Sequence, residues 1–415
     1  MKKMLFIFRE FNDLDHMTPI IDKALELNPK ETIITCINPD LDIENDSRIK
    51  YLQNKYNVEL KYIYDVHCYS AALKLFSHIT NRILSPKSSF KILKSLKSKF
   101  RKKLYNSWLK RKLYNTQWME SLIQDQDVGV LIVDYGSQYK FIYETISAVC
   151  RSNSIPIIGV PHGMDATVNN FVTNYANLER DPEHLEKTWG WIDSLIVASD
   201  RIKHKYSKEG LPSNKMHVLG NPRFTKAWHD KYKSIIERSS LQTRDQKLKL
   251  VFFDHGKRNR INTNNVYETL HAIDQLSFTD LIIKPHTREL LSDLRLQDIG
   301  HISNEHSINL IQWADVVINH LSSIVIDAYH LKKIFIYPNY FTDNSMIWGK
   351  YDACWEVAST DEMISAISSI QTGDYQIPYS QDSVDKLLNE QIYGNRTDTD
   401  VSLRYLNHIK STIEI

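Results

Sequence analysis

The chain predicts an α/β protein with doubly wound parallel sheets, and three observations carry that reading. Short apolar runs alternate with helical patterns from end to end. Several of the runs are apolar at every position, as strands covered on both faces are. Each run then breaks abruptly into polar groups, as a parallel strand does where it delivers side chains to the carboxyl edge of its sheet. At 415 residues the chain is long for one domain, and two of roughly 200 residues are expected.

Met4–Phe8 is the first buried strand, ending at Arg9 and Glu10 and too short for a signal-peptide core. Glu31–Ile37, Leu60–Tyr64, Val128–Asp134, Ile155–Val160 and Ser194–Ala198 follow as strands, with Phe141–Arg151 helical between two of them. The stretch Lys226–Lys249 is polar and lacks an extended apolar run, so it marks the boundary. Domain one is placed at 1–240 and domain two at 241–415. Leu248–Phe253, Asp280–Lys284, Val316–Asn319 and Ile334–Tyr337 are the second set of strands, and Ile324–Leu331 is helical. Val401–Ile415 is amphipathic and fits either domain, including a helix that crosses back to the first.

Fifty-two basic and fifty acidic side chains leave a net charge of +2, which excludes a globally basic nucleic-acid binder. No stretch approaches the ~18 apolar residues of a spanning helix. Cys36, Cys68, Cys150 and Cys354 lie far apart without a C-x-x-C pair, so a reducing, cytoplasmic setting fits best. One segment stands apart: Ser85–Lys112 holds eleven Lys or Arg and no acid. Its apolar positions Leu93, Leu96, Phe100, Leu104 and Leu109 recur at roughly helical spacing. Such a helix suits an anionic membrane surface, or simply packs its apolar stripe on its own domain.

Candidate chemistry gathers at strand ends, where open α/β sheets bind ligands. Val160-Pro161-His162-Gly163-Met164-Asp165 brings a His, a Gly and a carboxylate past one strand, with His162 or Asp165 as a general base. Val218-Leu219-Gly220-Asn221-Pro222-Arg223 reads as a short strand and tight loop in which Asn221 is an acceptor-side candidate and a structural link the alternative. Asp254-His255-Gly256-Lys257-Arg258 follows the first strand of domain two, so Lys257, Arg258 and the loop amides fit a phosphate. Asp254 there is a nucleophile or acid–base candidate. Lys284-Pro285-His286 and Ser322-Ser323 are expected to meet at neighbouring strand ends. The two hydroxyls open a helical segment and His286 adds charge opposite a leaving phosphate. Asp327, one turn into that segment, is in reach of a ribose hydroxyl. The four D-x-D pairs, Asp13/Asp15 among them, are what chance gives, so no metal is expected. Neither G-x-G-x-x-G nor G-x-x-x-x-G-K-[ST] occurs.

"VPHGMD", "VLGNPRF", "IIKPHTRE" and "ADVVINHLSSIVIDAYHLKKIFIYP" in this order resemble the GT-B superfamily of nucleotide-sugar enzymes. They resemble most the branch with bacterial β-Kdo transferases, polysialyltransferases and CDP-glycerol glycerophosphotransferases. The resemblance implies two Rossmann-like domains facing an interdomain cleft, with the donor held by the second and the acceptor by the first. It implies acceptor activation at His162 and Gly163, and donor-phosphate binding at Lys284, His286, Ser322 and Ser323. The implied activity is a metal-independent glycosyltransferase of capsule or lipopolysaccharide synthesis. Its co-substrate would be a CMP-activated sugar, CMP-Kdo first, its acceptor a glycan or lipid-linked chain, with no further cofactor. The chain reads Lys-Pro-His-Thr where the usual pattern ends in His-Pro, which leaves the donor open among CMP-Kdo, CMP-sialic acid, CDP-glycerol and a UDP-sugar. A CDP-glycerol-type transferase, a UDP-GlcNAc 2-epimerase-like enzyme and a non-catalytic scaffold are the alternative readings. His162 or Asp165 serves an inverting reaction, and Asp254 a retaining one.

Overall fold

The computed structural model describes residues 2–36, 43, 45–62, 116–135, 140–169, 184–237, 239, 241, 247–256, 260–286 and 291–413. The basic segment 85–112 with its proposed membrane face lies outside them, as do Lys257 and Arg258.

Two parallel sheets organise the chain. Strands of the first are β1 (Lys3–Phe8), β2 (Thr32–Cys36), β3 (Leu60–Tyr62), β4 (Val128–Asp134), β5 (Ile157–Val160), β6 (Ser194–Val197) and β7 (Met216–Val218). They lie in the order β3-β2-β1-β4-β5-β6-β7. Those of the second are β8 (Leu248–Phe253), β9 (Thr279–Lys284), β10 (His301–Ile302), β11 (Val316–Asn319), β12 (Ile334–Pro338) and β13 (Trp355–Val357). Their order is β10-β9-β8-β11-β12-β13. Every ladder between them is parallel. The parallel, doubly wound sheets are those the strand–helix alternation predicts, and the two-domain, Rossmann-like GT-B fold is the one the motif resemblance implies. The edge strands β10 and β13 escape a sequence reading because two or three residues, partly polar, carry no periodicity.

Burial explains the central strands. All seven residues of Val128-Gly129-Val130-Leu131-Ile132-Val133-Asp134 are buried, as sheets covered by helices on both faces require. Met4, Leu5 and Phe6 beside them are wholly inaccessible, and truncating one such large side chain costs roughly 2–5 kcal/mol. Gly159 in β5 is set by packing: a Cβ there would come within 2.9 Å of Leu195 Cδ1 and 3.0 Å of Ile192 Cδ1. Helices follow the strands with side-chain caps, as at Ser199, whose hydroxyl accepts from the Ile202 amide.

The chain divides into two compact units, Met1–Gly163 with Pro182–Arg223 and Asp398–Ile415, and Met164–Asp181 with Phe224–Thr397. The main segment of the second unit thus begins at Phe224, ahead of the polar stretch that marks residue 240 in the sequence, because the helix Lys226–Ile235 buries Trp228 and Tyr232 with Ile308. The helix Val401–Ile413 groups with the first unit, where Tyr405 donates to the Gly220 carbonyl at 2.8 Å. Each sheet has one topological switch point, between β1 and β4 in the first and between β8 and β11 in the second. Crevices at such points are where doubly wound sheets bind ligands.

Candidate functional site

In the first unit, the ends of β1, β4 and β5 bring together a network that the sequence reading only partly named. Asp134, the last residue of β4, is fully buried and its Oδ2 lies 2.5 Å from His162 Nδ1. Its Oδ1 accepts from Arg9 Nη2 at 2.7 Å. Arg9 leaves β1 and is itself clamped by Asp13, which takes the Arg9 amide at 2.6 Å and faces Nε at 3.3 Å. The helix Phe11–Leu27 starts here with reciprocal side-chain capping between Glu10 and Asp13. From its first turn Asn12 Nδ2 reaches His162 Nε2 at 3.3 Å and the His162 carbonyl at 3.4 Å. The His162 side chain keeps 30% of its surface open to solvent, against none for Asp134. The pair therefore presents one accessible imidazole edge backed by a buried carboxylate.

The charges are unequal by design of the surroundings. Burial pushes the Asp134 carboxyl up, but its bond to His162 and the charges of His162 and Arg9 overcome this and hold it below its ordinary range. Burial and the neighbouring Asp134 charge drive Asp13 the other way, well above the carboxylate range. Burial alone would lower His162, yet the hydrogen bond and charge of Asp134 raise it above its usual value. Carboxyl groups whose pKa values are pushed apart in one cleft mark an acid–base assignment. Asp13, Asp134 and His162 each place one ligand atom within 4.8 Å of the others. The Arg9 guanidinium lies against both carboxyls. Beside it Asp15 joins Arg48 at 2.7 Å and Arg223 at 2.8 Å.

The second unit offers a different collection. Register puts Lys284, Phe253 and Asn319 level across β9, β8 and β11. His286 and His255 each follow two residues later, and their rings are 5.1 Å apart. His255 is also 6.3 Å from His320, which is fully buried and stacked on Phe252 at 5.8 Å. Burial pulls the Lys284 ammonium below its ordinary pKa, against the raising effect of Glu305, and takes His320 down to about 3, with His255 adding to the drop. Asn319 shapes the next loop: its Oδ1 accepts from the amides of Leu321 and Ser322, and its Nδ2 donates to the Ser322 carbonyl. Ser322 and Ser323 are partly buried before the helix Val325–His330, six residues long. Short as it is, that helix brings amides and hydroxyls to the edge rather than a long aligned dipole.

Several expectations change in this light. The Lys284/His286 edge and the serines are not on neighbouring strands, because β8 runs between β9 and β11. His255 of that middle strand is the link, and its signal was in the sequence: the same two-residue offset past the sheet as His286. Asp327 does not face a ribose: it is fully buried and binds His229 Nδ1 at 2.8 Å. Asn221 is fully buried and accepts the Arg223 amide at 3.2 Å, a turn that seats Arg223 on Asp15. Asp254 is buried with its carboxylate toward the amides of Ser292, His255 and Gly256, and burial raises its pKa. It is committed to shaping the loop, which disfavours the nucleophile role. Asp165 accepts from the Thr167 hydroxyl at 2.9 Å and groups with the second unit. Gly163 ends the first segment of the first unit, and a Cβ there would meet nothing within 4 Å.

No family model matches the chain, and no curated protein matches it in sequence. Solved structures match it in fold. The UDP-GlcNAc 2-epimerase of Methanocaldococcus jannaschii is 14% identical with a TM-score of 0.57, covering 99% of each chain. The S. aureus MnaA–UDP co-structure is 15% identical with a TM-score of 0.53, covering 100% of this chain and 97% of its own. A glycosyltransferase from Rickettsia africae is 12% identical with a TM-score of 0.54, covering 100% and 99%. At these identities the likeness establishes the GT-B fold.

Proposed function

We propose that the chain is a nucleotide-sugar enzyme that transfers a glycosyl group to an acceptor hydroxyl. The observation that carries this reading is the Asp134–His162 pair: an accessible imidazole backed by a buried, ionised carboxylate. In the proposed reaction the acceptor oxygen attacks the anomeric carbon while its proton passes to His162 Nε2. Asp134 stabilises the imidazolium that forms. The bond from the anomeric carbon to the phosphate oxygen breaks, and the nucleotide leaves with the electron pair. His286, His255 and Lys284 are the cations assigned to that phosphate, with Ser322 and Ser323 as donors. No step calls for a metal.

The resemblance of the motifs favours a CMP-activated donor, CMP-Kdo first, in bacterial surface-polysaccharide synthesis on the cytoplasmic side. The similarity to epimerases, and to a structure holding UDP, favours a second reading in which UDP-GlcNAc is epimerised without an acceptor. There the same base removes a sugar-ring proton. Thermal-shift measurements with CMP, CDP, UDP and GDP choose the nucleotide. Turnover of the matching sugar nucleotide in deuterated water then decides between the readings. Consumption that requires an acceptor supports transfer; deuterium at C2 of UDP-GlcNAc without acceptor supports epimerisation. A chain that binds none of the four is a scaffold, and both readings fail. The membrane partner rests on the sequence of 85–112, and unchanged vesicle sedimentation after neutralising Lys99, Arg101, Lys102 and Lys103 would remove it.

A further inference from the structure

The geometry points to Asn12 as a positioning residue that keeps His162 Nε2 unprotonated and holds, in the free protein, the seat a substrate hydroxyl takes. One atom makes two contacts that fix the tautomer. Asn12 Nδ2 lies 3.4 Å from the His162 carbonyl oxygen and 3.3 Å from His162 Nε2. A carbonyl only accepts, so the amide atom facing it is the NH₂ donor and not the oxygen. The same NH₂ faces Nε2, which must therefore be the accepting, lone-pair nitrogen. The ring proton is left on Nδ1, where the Asp134 carboxylate, 2.5 Å away, accepts it. Two neighbours thus specify one tautomer from opposite sides of the ring.

Their effects on charge are opposed. Asp134 favours the imidazolium. Asn12 disfavours it, because a protonated Nε2–H would point at an N–H donor. The other charged groups around the ring are Asp13 and His16 on the helix Phe11–Leu27, and Arg9 past β1; Arg9 and His16 disfavour the imidazolium and Asp13 favours it when ionised. Asn12 is the member of this set that touches Nε2. Its place is also where a hydroxyl must come to give up a proton, so binding displaces the amide to the substrate oxygen or the carbonyl. This second half rests on His162 acting as the base; the tautomer does not.

The test uses the full chain with ¹⁵N-labelled histidine, with His162→Gln to assign the resonances. Wild type is expected to show a lone-pair Nε2 and a protonated Nδ1 above the imidazole midpoint. Asn12→Asp, which accepts where Asn12 donates, is expected to raise the His162 midpoint by about one pH unit or more. Asn12→Ala should raise it less. The low-pH limb of the turnover profile should move upward with it, lowering kcat at pH 6–7 about tenfold while KM changes little. A residue that only props the loop through the His162 carbonyl would leave the midpoint in place. An Nε2–H tautomer in wild type, or an unmoved midpoint in Asn12→Asp, overturns the assignment of Asn12. A moved midpoint with full turnover in His162→Gln overturns the base reading instead and leaves the tautomer standing.

Discussion

The two switch points differ in how charge is arranged. At the first, ionisable groups meet in contact: Arg9 with Asp13 and Asp134, and Asp134 with His162. At the second, Lys284 and the rings of His255, His286 and His320 collect at one sheet edge, and the Asp254 carboxylate is turned to backbone amides. A network of paired charges holds protons in defined places and suits proton transfer. An edge rich in basic side chains suits an anionic ligand. On the proposed reading, the same doubly wound fold carries a proton-handling edge in one unit and an anion-receiving edge in the other.

Breaking the first edge should cost most. His162→Ala removes the proposed base, and turnover is expected to fall by about 10²–10⁴ with the nucleotide still bound. Asp134→Asn should approach the same loss, because an amide no longer holds the ring proton on Nδ1. Intact turnover in either variant, measured on folded protein, would dissolve the contrast. At the second edge His286→Ala should cost about 10²–10³ in rate. It should also weaken nucleotide binding, measured by calorimetry, whereas His162→Ala should not. If both variants lose nucleotide affinity equally, the division of labour is wrong.

A smaller effect separates the edges by pH. His320 is buried and neutral, with its folded value near 3 against 6.5 for the free side chain. The unfolded chain therefore binds its proton first. Stability from this burial is complete above about pH 6.5 and is lost as pH falls toward 3, at up to about 1.4 kcal/mol per pH unit. His320→Phe keeps an aromatic ring against Phe252 and Phe341. It should flatten the fall of the urea midpoint between pH 6.5 and 4, and an equally steep fall in the variant would refute this. His16, buried with its value near 4, contributes in the same sense and remains in the variant.

Much of this was legible beforehand. The bounds of Val128–Asp134, Leu248–Phe253 and Val316–Asn319 are legible to the residue, because mostly apolar runs that stop at a charge or an amide leave little choice. His162, Lys284 and His286 were found by the same rule, as polar groups just past such a run. Asp134 obeys the rule too, but as the last residue of a buried strand it carries no further mark of a site. Arg9 flanks the first strand, and Asp13 belongs to one of four D-x-D pairs at chance frequency. What hid them is that neither has a signature of its own; each matters through a partner more than a hundred positions away.

Local pattern alone determined the alternation of strands and helices and the side chains left at the strand ends, since periodicity and breaks are properties of neighbours in the chain. Only the tertiary structure decided the strand order, and with it who meets whom. It set β1 beside β4, so that Arg9 finds Asp134, and β8 between β9 and β11, so that His255 joins His286 to His320. It also spent Asp327 on His229 and Asn221 on a turn. The reason is that a buried polar group must be paired, and the identity of its partner is fixed by packing between segments distant in sequence.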